Sequence, residues 1–262
     1  MLPLALVCAS QAATAWAASQ PPIALWRLDC GRFGTSVPDS CYLIRHGDTF
    51  MLWDTGLNPR LAHRGEQKVG THAVTLDETL PEQLARLGLV PRDIAIVALS
   101  HAHFDHVGGA VSFPRAVLLI GRKDYDALTG DPASLTSHPQ DLIDGLAPWI
   151  SGGSRKDLLD GNRDIFGDGS VIMLNTPGHT AGHHSLLVRL HHMGAIVLTG
   201  DLWDRAGEYD SIASPRNAAD PAASAASVRY VKALVAETRA TVIISHEVAD
   251  VGKLPPFPKA AR

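Results

Sequence analysis

Four groups able to bind a metal ion fall within six residues: His101, His103, Asp105 and His106, in the run Ser100-His101-Ala102-His103-Phe104-Asp105-His106-Val107-Gly108-Gly109. Imidazole nitrogen and carboxylate oxygen are the ligand types that suit Zn2+ and its first-row neighbours. The two-residue spacing of His101 and His103 keeps both on one side of an extended backbone, as one shared ion requires. Asp105 and His106 then turn away, which makes them candidates for a second ion beside the first. A catalytic zinc site takes three protein ligands and leaves one position open, so the run completes neither site alone. His179, Asp201 and His246 are the expected remainder, because each follows an apolar run, as the first cluster does. Five imidazoles and two carboxylates suffice for two ions that share a carboxylate. Two divalent ions about 3.5–4 Å apart can hold a water, lower its pKa from about 15.7 toward about 7, and polarise the carbonyl that it attacks. The chemistry on offer is hydrolysis.

Strand ends must deliver these groups. Residues 23–29, 41–45 and 49–54 are strand-like runs broken by Gly34, Pro38 and Gly47-Asp48. Residues 79–87 have helical apolar spacing, with Pro81 in the first turn and Gly88 as a stop. The continuous apolar runs 94–99 and 116–120 have the length of buried strands, and the first ends abruptly at Ser100-His101. Further strands are expected at 170–174, 185–190, 195–198 and 241–244, with an Ala-rich helix over 222–237. Residues 122–166, with Pro132, Pro139, Pro148 and Gly152-Gly153, read as an irregular insertion of loops and short helices. Two strand-rich halves with helices outside both predict an α/β protein, a four-layer αββα sandwich or failing that a doubly wound sheet. Gly108-Gly109 reads as room for the chain to turn sharply from the metal loop into a helix.

The 262 residues suit one large domain over 20–262. Residues 1–19 resemble a secretory signal peptide, with an apolar stretch from Leu2 to Ala9 and an Ala15-Trp16-Ala17 cleavage site, although no Lys or Arg precedes it. Periplasmic or secreted location follows, and Cys8 leaves with the leader. Cys30 and Cys41 are then either a disulfide or two buried thiols. The apolar runs are too short to span a bilayer, which takes about 20 residues. Lys and Arg number 23 against 27 Asp and Glu, a net charge of -4 that offers no overall field for a phosphate backbone. Neither nucleic acid nor membrane is the expected partner. A small-molecule substrate is, and a homodimer stays open. Thirteen His are about twice average usage and point toward metal.

His101-x-His103-x-Asp105-His106, then His179, Asp201 and His246, in that order and with those separations, resembles the metallo-β-lactamase superfamily. Asp54-Thr55-Gly56 and Thr176-Pro177-Gly178-His179-Thr180-x-Gly182-His183 match segments typical of it. The resemblance implies the αββα fold and a dinuclear centre of two divalent ions, Zn2+ by the donor types. One ion would take His101, His103 and His179, the other Asp105, His106 and His246, with Asp201 as bridge. Leu25-Trp26-Arg27-Leu28-Asp29-Cys30-Gly31 and Gly167-Asp168-Gly169-Ser170 lean toward N-acyl homoserine lactonases. These would open a lactone ring by attack of hydroxide held at the metals, with Asp105 and Asp201 in the catalytic machinery. Such lactonases often carry a Tyr three residues after the bridging Asp. Asp204 stands there in this chain, leaving Tyr209, Tyr125 or Tyr42 as unranked substitutes. Rival readings keep the centre for another lactone, a β-lactam, or an aryl or phosphate ester, or make the chain an inactive metal-binding module.

Among the other polar residues, Asp54 is expected to accept a hydrogen bond from a ligand His and so orient it. His183 and His184 are read as structural, and His191-His192 as a solvated turn. Trp203 is the tryptophan expected near the chemistry. The remaining Asp and Glu are read as ordinary surface.

Overall fold

The computed structural model describes residues 21–131, 139–209 and 218–262. The leader-like segment and Cys8 lie outside the described residues. Eight strands form the first sheet: β1 (Ile23–Phe33), β2 (Val37–His46), β3 (Thr49–Trp53), β4 (Gln67–Val69), β5 (His72–Thr75), β6 (Ile94–Ala98), β7 (Val117–Gly121) and β8 (Lys156–Leu159). Their spatial order is β4-β5-β1-β2-β3-β6-β7-β8. The second sheet contains β9 (Arg163–Asp164), β10 (Val171–Asn175), β11 (His184–Leu190), β12 (Gly194–Leu198) and β13 (Thr241–Ile243), in the order β13-β12-β11-β10-β9.

Side-chain alternation along the strands sorts the core into three layers. In β2, Cys41 and Leu43 face the helix side, while Tyr42 and Ile44 face the second sheet. In β11, Leu186 and Val188 face the first sheet and Leu187 faces outward. Helices cover both outer faces. Against the first sheet pack α1 (Leu80–Ala85), α2 (Phe104–Val107), α3 (Arg122–Gly130) and α4 (Pro139–Ile150), through Leu84, Val107, Tyr125, Leu128, Leu142, Leu146 and Trp149. Against the second packs α6 (Pro221–Thr238), through Val228 and Val231, preceded by the single turn α5 (Ala206–Tyr209). This is the expected four-layer αββα sandwich, and the doubly wound alternative is set aside.

Residues 122–166 are more regular than their prolines and glycines suggest. α3 begins directly at the end of β7, and β8 pairs in parallel with β7 at the sheet edge. Crossover and edge strand therefore belong to the sandwich itself. Pro148 is accommodated inside α4, near its C-terminal end. Residues 132–138 lie outside the described part. β2 begins at Val37, earlier than its apolar run, and Cys30 and Cys41 form a disulfide between β1 and β2.

Parallel pairing sets up the site. β3, β6 and β7 run in parallel, as do β12 and β13. Their C-terminal ends therefore open on one edge, where Asp54, Ser100-His101, Asp201 and His246 follow.

Candidate metal centre

The loop after β6 and the short α2 carry the first four groups. His101 and His106 are fully buried, Asp105 nearly so, and His103 half-buried. The loops after β10, β12 and β13 bring His179, Asp201 and His246 to the same place. Two clusters result: His101, His103, His179 and Asp201, and beside them Asp105, His106 and His246. In the first, His103 Nδ1 lies 2.9 Å from His101 Nε2 and 3.0 Å from His179 Nε2. Asp201 Oδ2 lies 3.9 Å and 3.5 Å from those two Nε2 atoms. In the second, Asp105 Oδ2 lies 3.7 Å from His106 Nε2 and 3.5 Å from His246 Nε2. The other oxygen of Asp201, Oδ1, is 3.2 Å from His106 Nε2 and 3.3 Å from His246 Nε2. One carboxylate thus faces both clusters, one oxygen to each.

A metal fits this arrangement. Ligands about 2.0–2.1 Å from a tetrahedral ion stand about 3.3–3.4 Å apart, within the range of the spacings above. His106 Nε2 and Asp201 Oδ1 are buried, and among the described residues neither has a hydrogen-bond partner. Buried polar atoms left without partners are costly, and a cation between them supplies what is missing.

Partners behind the ligands fix their orientation. Asp54 adopts a left-handed backbone conformation (φ 57°) after β3, which Asp tolerates better than most residues. This turns its carboxylate inward: Oδ1 accepts from the Ser100 amide at 2.7 Å, and Oδ2 accepts from His106 Nδ1 at 3.0 Å. The expected role of Asp54 is what the geometry displays. His246 Nδ1 donates to the Pro38 carbonyl at 2.9 Å, leaving Nε2 for the cluster. Ser100 Oγ lies 3.0 Å from His101 Nδ1. His183 is structural, as expected. Its Nδ1 donates to the Thr176 carbonyl at 2.9 Å, and its Nε2 accepts the Asp201 amide at 3.1 Å. Gly200 (φ 55°) is needed there, because a Cβ would sit 2.7 Å from His183 Nε2. Gly108 is helical, so its role is not a sharp turn. A Cβ at Gly108 or Gly109 would collide with the backbone of residues 55–58.

Electrostatics differ between the clusters. Burial and neighbouring imidazoles hold His101 well below its ordinary pKa, and burial brings His179 down to about 4. Both are neutral donors ready for a metal. Burial acts the same way on His106 and His246, but the surrounding carboxylates together outweigh it: Asp201, Asp54 and Asp105 for His106, and Asp201, Asp105 and Asp39 for His246. His106 is raised well above its ordinary value and His246 to about 10. These two hold protons that a cation must displace.

Three buried acids escaped the sequence reading, which treated them as surface: Asp250, which accepts the Ile244 amide at 2.8 Å, and two nearer the ligands. Asp124, in the first turn of α3, is fully buried. It accepts from the Ala102 amide at 3.0 Å, the Thr180 hydroxyl at 2.7 Å and the Gly182 amide at 2.6 Å. The loop bearing His101 and His103 is thereby bolted to the loop bearing His179. Its signal is an acid three residues beyond a buried strand, the placement shared by Asp201. The other is Asp39 in β2, 1% exposed, where burial and Asp105 raise its carboxyl well above the ordinary value.

None of the three candidate tyrosines replaces the residue that Asp204 displaces. Tyr125 donates its hydroxyl to the Trp149 carbonyl in the helix-side core, and Tyr42 is buried between the sheets. Tyr209 packs edge-on against Trp203, 5.0 Å between centroids, in the outer layer of the second sheet. Trp203 therefore anchors the Asp201 turn from behind, rather than lining the site. Beside the second cluster, Phe33 lies 5.6 Å from the His246 ring and 6.0 Å from Phe104. This aromatic wall was not foreseen.

A two-sheet αββα sandwich that gathers imidazoles and carboxylates along one edge defines the metallo-β-lactamase fold. The chain belongs to the Metallo-beta-lactamase superfamily, whose family model matches residues 34–246. Among curated relatives, it is similar to the N-acyl homoserine lactonase AttM of Azorhizobium caulinodans, 30% identical over 246 residues, 86% of each chain. An N-acyl homoserine lactonase of Bacillus cereus is 26% identical over 232 residues, covering 86% of this chain and 87% of that one. Among solved structures, an N-acyl homoserine lactone hydrolase with N-hexanoyl-L-homoserine bound at its catalytic metal center superposes with a TM-score of 0.76 at 21% identity. The match covers 92% of this chain and 100% of that chain.

Proposed function

We propose that this protein is a dinuclear-metal hydrolase that opens the lactone ring of N-acyl homoserine lactones. The observation that carries the reading is the Asp201 carboxylate, whose two oxygens face two separate clusters of nitrogen and oxygen donors. His101, His103 and His179 would hold one ion and Asp105, His106 and His246 the other, with Asp201 between them; zinc suits the donor set. When bound, the ions supply Lewis acidity, lowering the pKa of a water and polarising the ring carbonyl.

The chain's own residues do the rest. Asp54 and the Pro38 carbonyl hold His106 and His246 with Nε2 turned inward, and His183 holds the Asp201 turn. During hydrolysis the water oxygen joins the acyl carbon, the ring carbon–oxygen bond breaks, and the departing alkoxide takes a proton. Asp105 Oδ2, 3.5 Å from His246 Nε2, is placed to pass that proton. Phe33 and Phe104 offer an apolar wall for an acyl chain. The leader-like residues 1–19 and the Cys30–Cys41 disulfide support a periplasmic or secreted location, where disulfides persist.

Metal quantification followed by pH-stat titration tests the reading, with several acyl homoserine lactones run beside nitrocefin and paraoxon. Two ions per chain and proton release from the lactones are expected. Turnover of nitrocefin or paraoxon alone would reject it.

A further inference from the structure

Asp39 is a buried acid beside the centre that the mechanism above leaves unused. It sits in β2 opposite Gly31 of β1, and among the described residues neither of its carboxylate oxygens has a hydrogen-bond partner. Burial without a partner disfavours the charged form of a carboxyl group, so the ionised form of Asp39 calls for a counter-charge. The groups facing it come from three elements. Asp105 of α2 and Asp54 after β3 repel it; His246 after β13 and His106 of α2 attract it. Neither imidazole turns a nitrogen toward it. His106 gives Nδ1 to Asp54 and turns Nε2 to Asp201. His246 gives Nδ1 to the carbonyl of Pro38, the residue next to Asp39, and turns Nε2 to Asp105 and Asp201. What is missing is a cation among Asp105, His106 and His246.

We infer that Asp39 is a positioning residue for that second cation: an outer carboxylate that sets how tightly the Asp105–His106–His246 cluster holds its ion, without bearing on the ion of His101, His103 and His179. The inference rests on the two-ion reading. It also gives β2 a double duty, since Pro38 aims the His246 ring and Asp39 supplies charge behind it. The first cluster differs, because the carboxylate bolted behind its loops, Asp124, is occupied by two amides and a hydroxyl.

The test is titration of chelator-stripped protein with Zn2+ against a chromophoric competitor, alongside the Tm of the metal-free protein. The wild type should take up two ions. Asp39→Asn should hold one of them unchanged and the other about 10–100-fold more weakly, the range for an outer partner of a metal site. Its metal-free Tm should be unchanged or higher, because Asn has nearly the same shape and leaves no ionisable group at that buried position. In a His246→Ala background the same substitution should leave the remaining ion's affinity unaltered. Two ions bound by the Asn variant with wild-type affinities would overturn this inference alone. A wild type that binds a single ion would overturn the two-ion reading and the inference with it. A lowered metal-free Tm with equal weakening of both ions would make Asp39 a fold residue and also overturn it. Asp39→Ser, smaller and neutral, carries the same test if the Asn variant does not fold.

Discussion

The sandwich carries a histidine–aspartate pair at each end. At the metal edge His106 donates to Asp54 at 3.0 Å, with both side chains almost fully buried. At the other edge, about 17 Å away along the five residues of β3, His46 meets Asp168 at 2.6 Å, 13% and 20% exposed. His46 also stacks on Phe166, 4.0 Å between centroids, and Asp168 accepts the amide and hydroxyl of Ser170. The residue types are alike and the uses differ. Asp54–His106 leaves an imidazole nitrogen facing Asp201, with the His101 and His246 rings beside it; His46–Asp168 clips β2 of one sheet to the loop before β10 of the other, with Phe166 stacked on its ring. A dyad becomes chemistry through the company that the fold gives it.

Breaking the near end should cost most at its shared carboxylate. Asp201→Ala removes a group facing both clusters, so lactone hydrolysis should fall by more than the roughly 100-fold upper range for an outer partner, with fewer than two ions retained. A pH-stat assay and metal analysis check both. Asp124→Ala strands two buried amides and a hydroxyl, at about 1–3 kcal/mol for each unsatisfied group, partly relieved by relaxation. A loss of about 2–5 kcal/mol in denaturant unfolding is expected, together with weaker metal binding.

Asp54→Asn sharpens the contrast directly. Metal affinity should drop about 10–100-fold by chelator competition, whereas Asp168→Asn should leave both affinity and turnover intact. The latter should cost about 1 kcal/mol at most, because the pair is partly exposed.

Acid should separate the two ends as well. His246, held up to about 10 without metal, must shed its proton to bind an ion, so affinity weakens as pH falls. The sign for stability is the reverse: a raised pKa stabilises the metal-free protein fully below 6.5, and that contribution fades as pH rises toward about 10. At the far end, Ser170 and His46 hold Asp168 below 3.8 against partial burial. Its contribution is complete above 3.8 and lost as pH falls through its lower folded value. Tm scans across pH, with and without chelator, should therefore lose the metal-dependent increment on acidification well before the His46–Asp168 clip gives way. If both vanish together, the two dyads are not functionally distinct.

The smallest effect lies farther from either edge. Thr79 and Glu82 form a capping box at the start of α1, and Glu82 is drawn down to about 2 by hydrogen bonds from the Thr79 amide and hydroxyl. Thr79→Ala should cost about 1 kcal/mol or less in unfolding experiments, without touching metal content.

All seven proposed ligands were legible because each follows an apolar run closely, and a strand ending in His or Asp announces itself along the chain. Asp54 was legible for the same reason. Asp39 and Asp124 were not, since a single acid in β2 or in a helical first turn looks like surface until burial is known. Within 122–166 the short helices were legible and the edge strand was not, for a related reason: proline and glycine mark local breaks, while the pairing of β8 with β7 depends on a partner far away in the chain.

Residue types and spacing alone determined which atoms are able to bind metal, the order in which the chain delivers them, and the alternation that stacks two sheets between helices. Spatial convergence decided the rest: that Asp201 turns one oxygen to each cluster, that Cys30 and Cys41 join, that Asp39 is buried without a hydrogen-bond partner among the described residues, and that none of the three candidate tyrosines stands in for the residue displaced by Asp204. The reason is physical. Ligand type is a property of one residue, but burial, orientation and the charge felt at an atom are set by neighbours that can lie 208 residues away, as His246 on the Pro38 carbonyl illustrates.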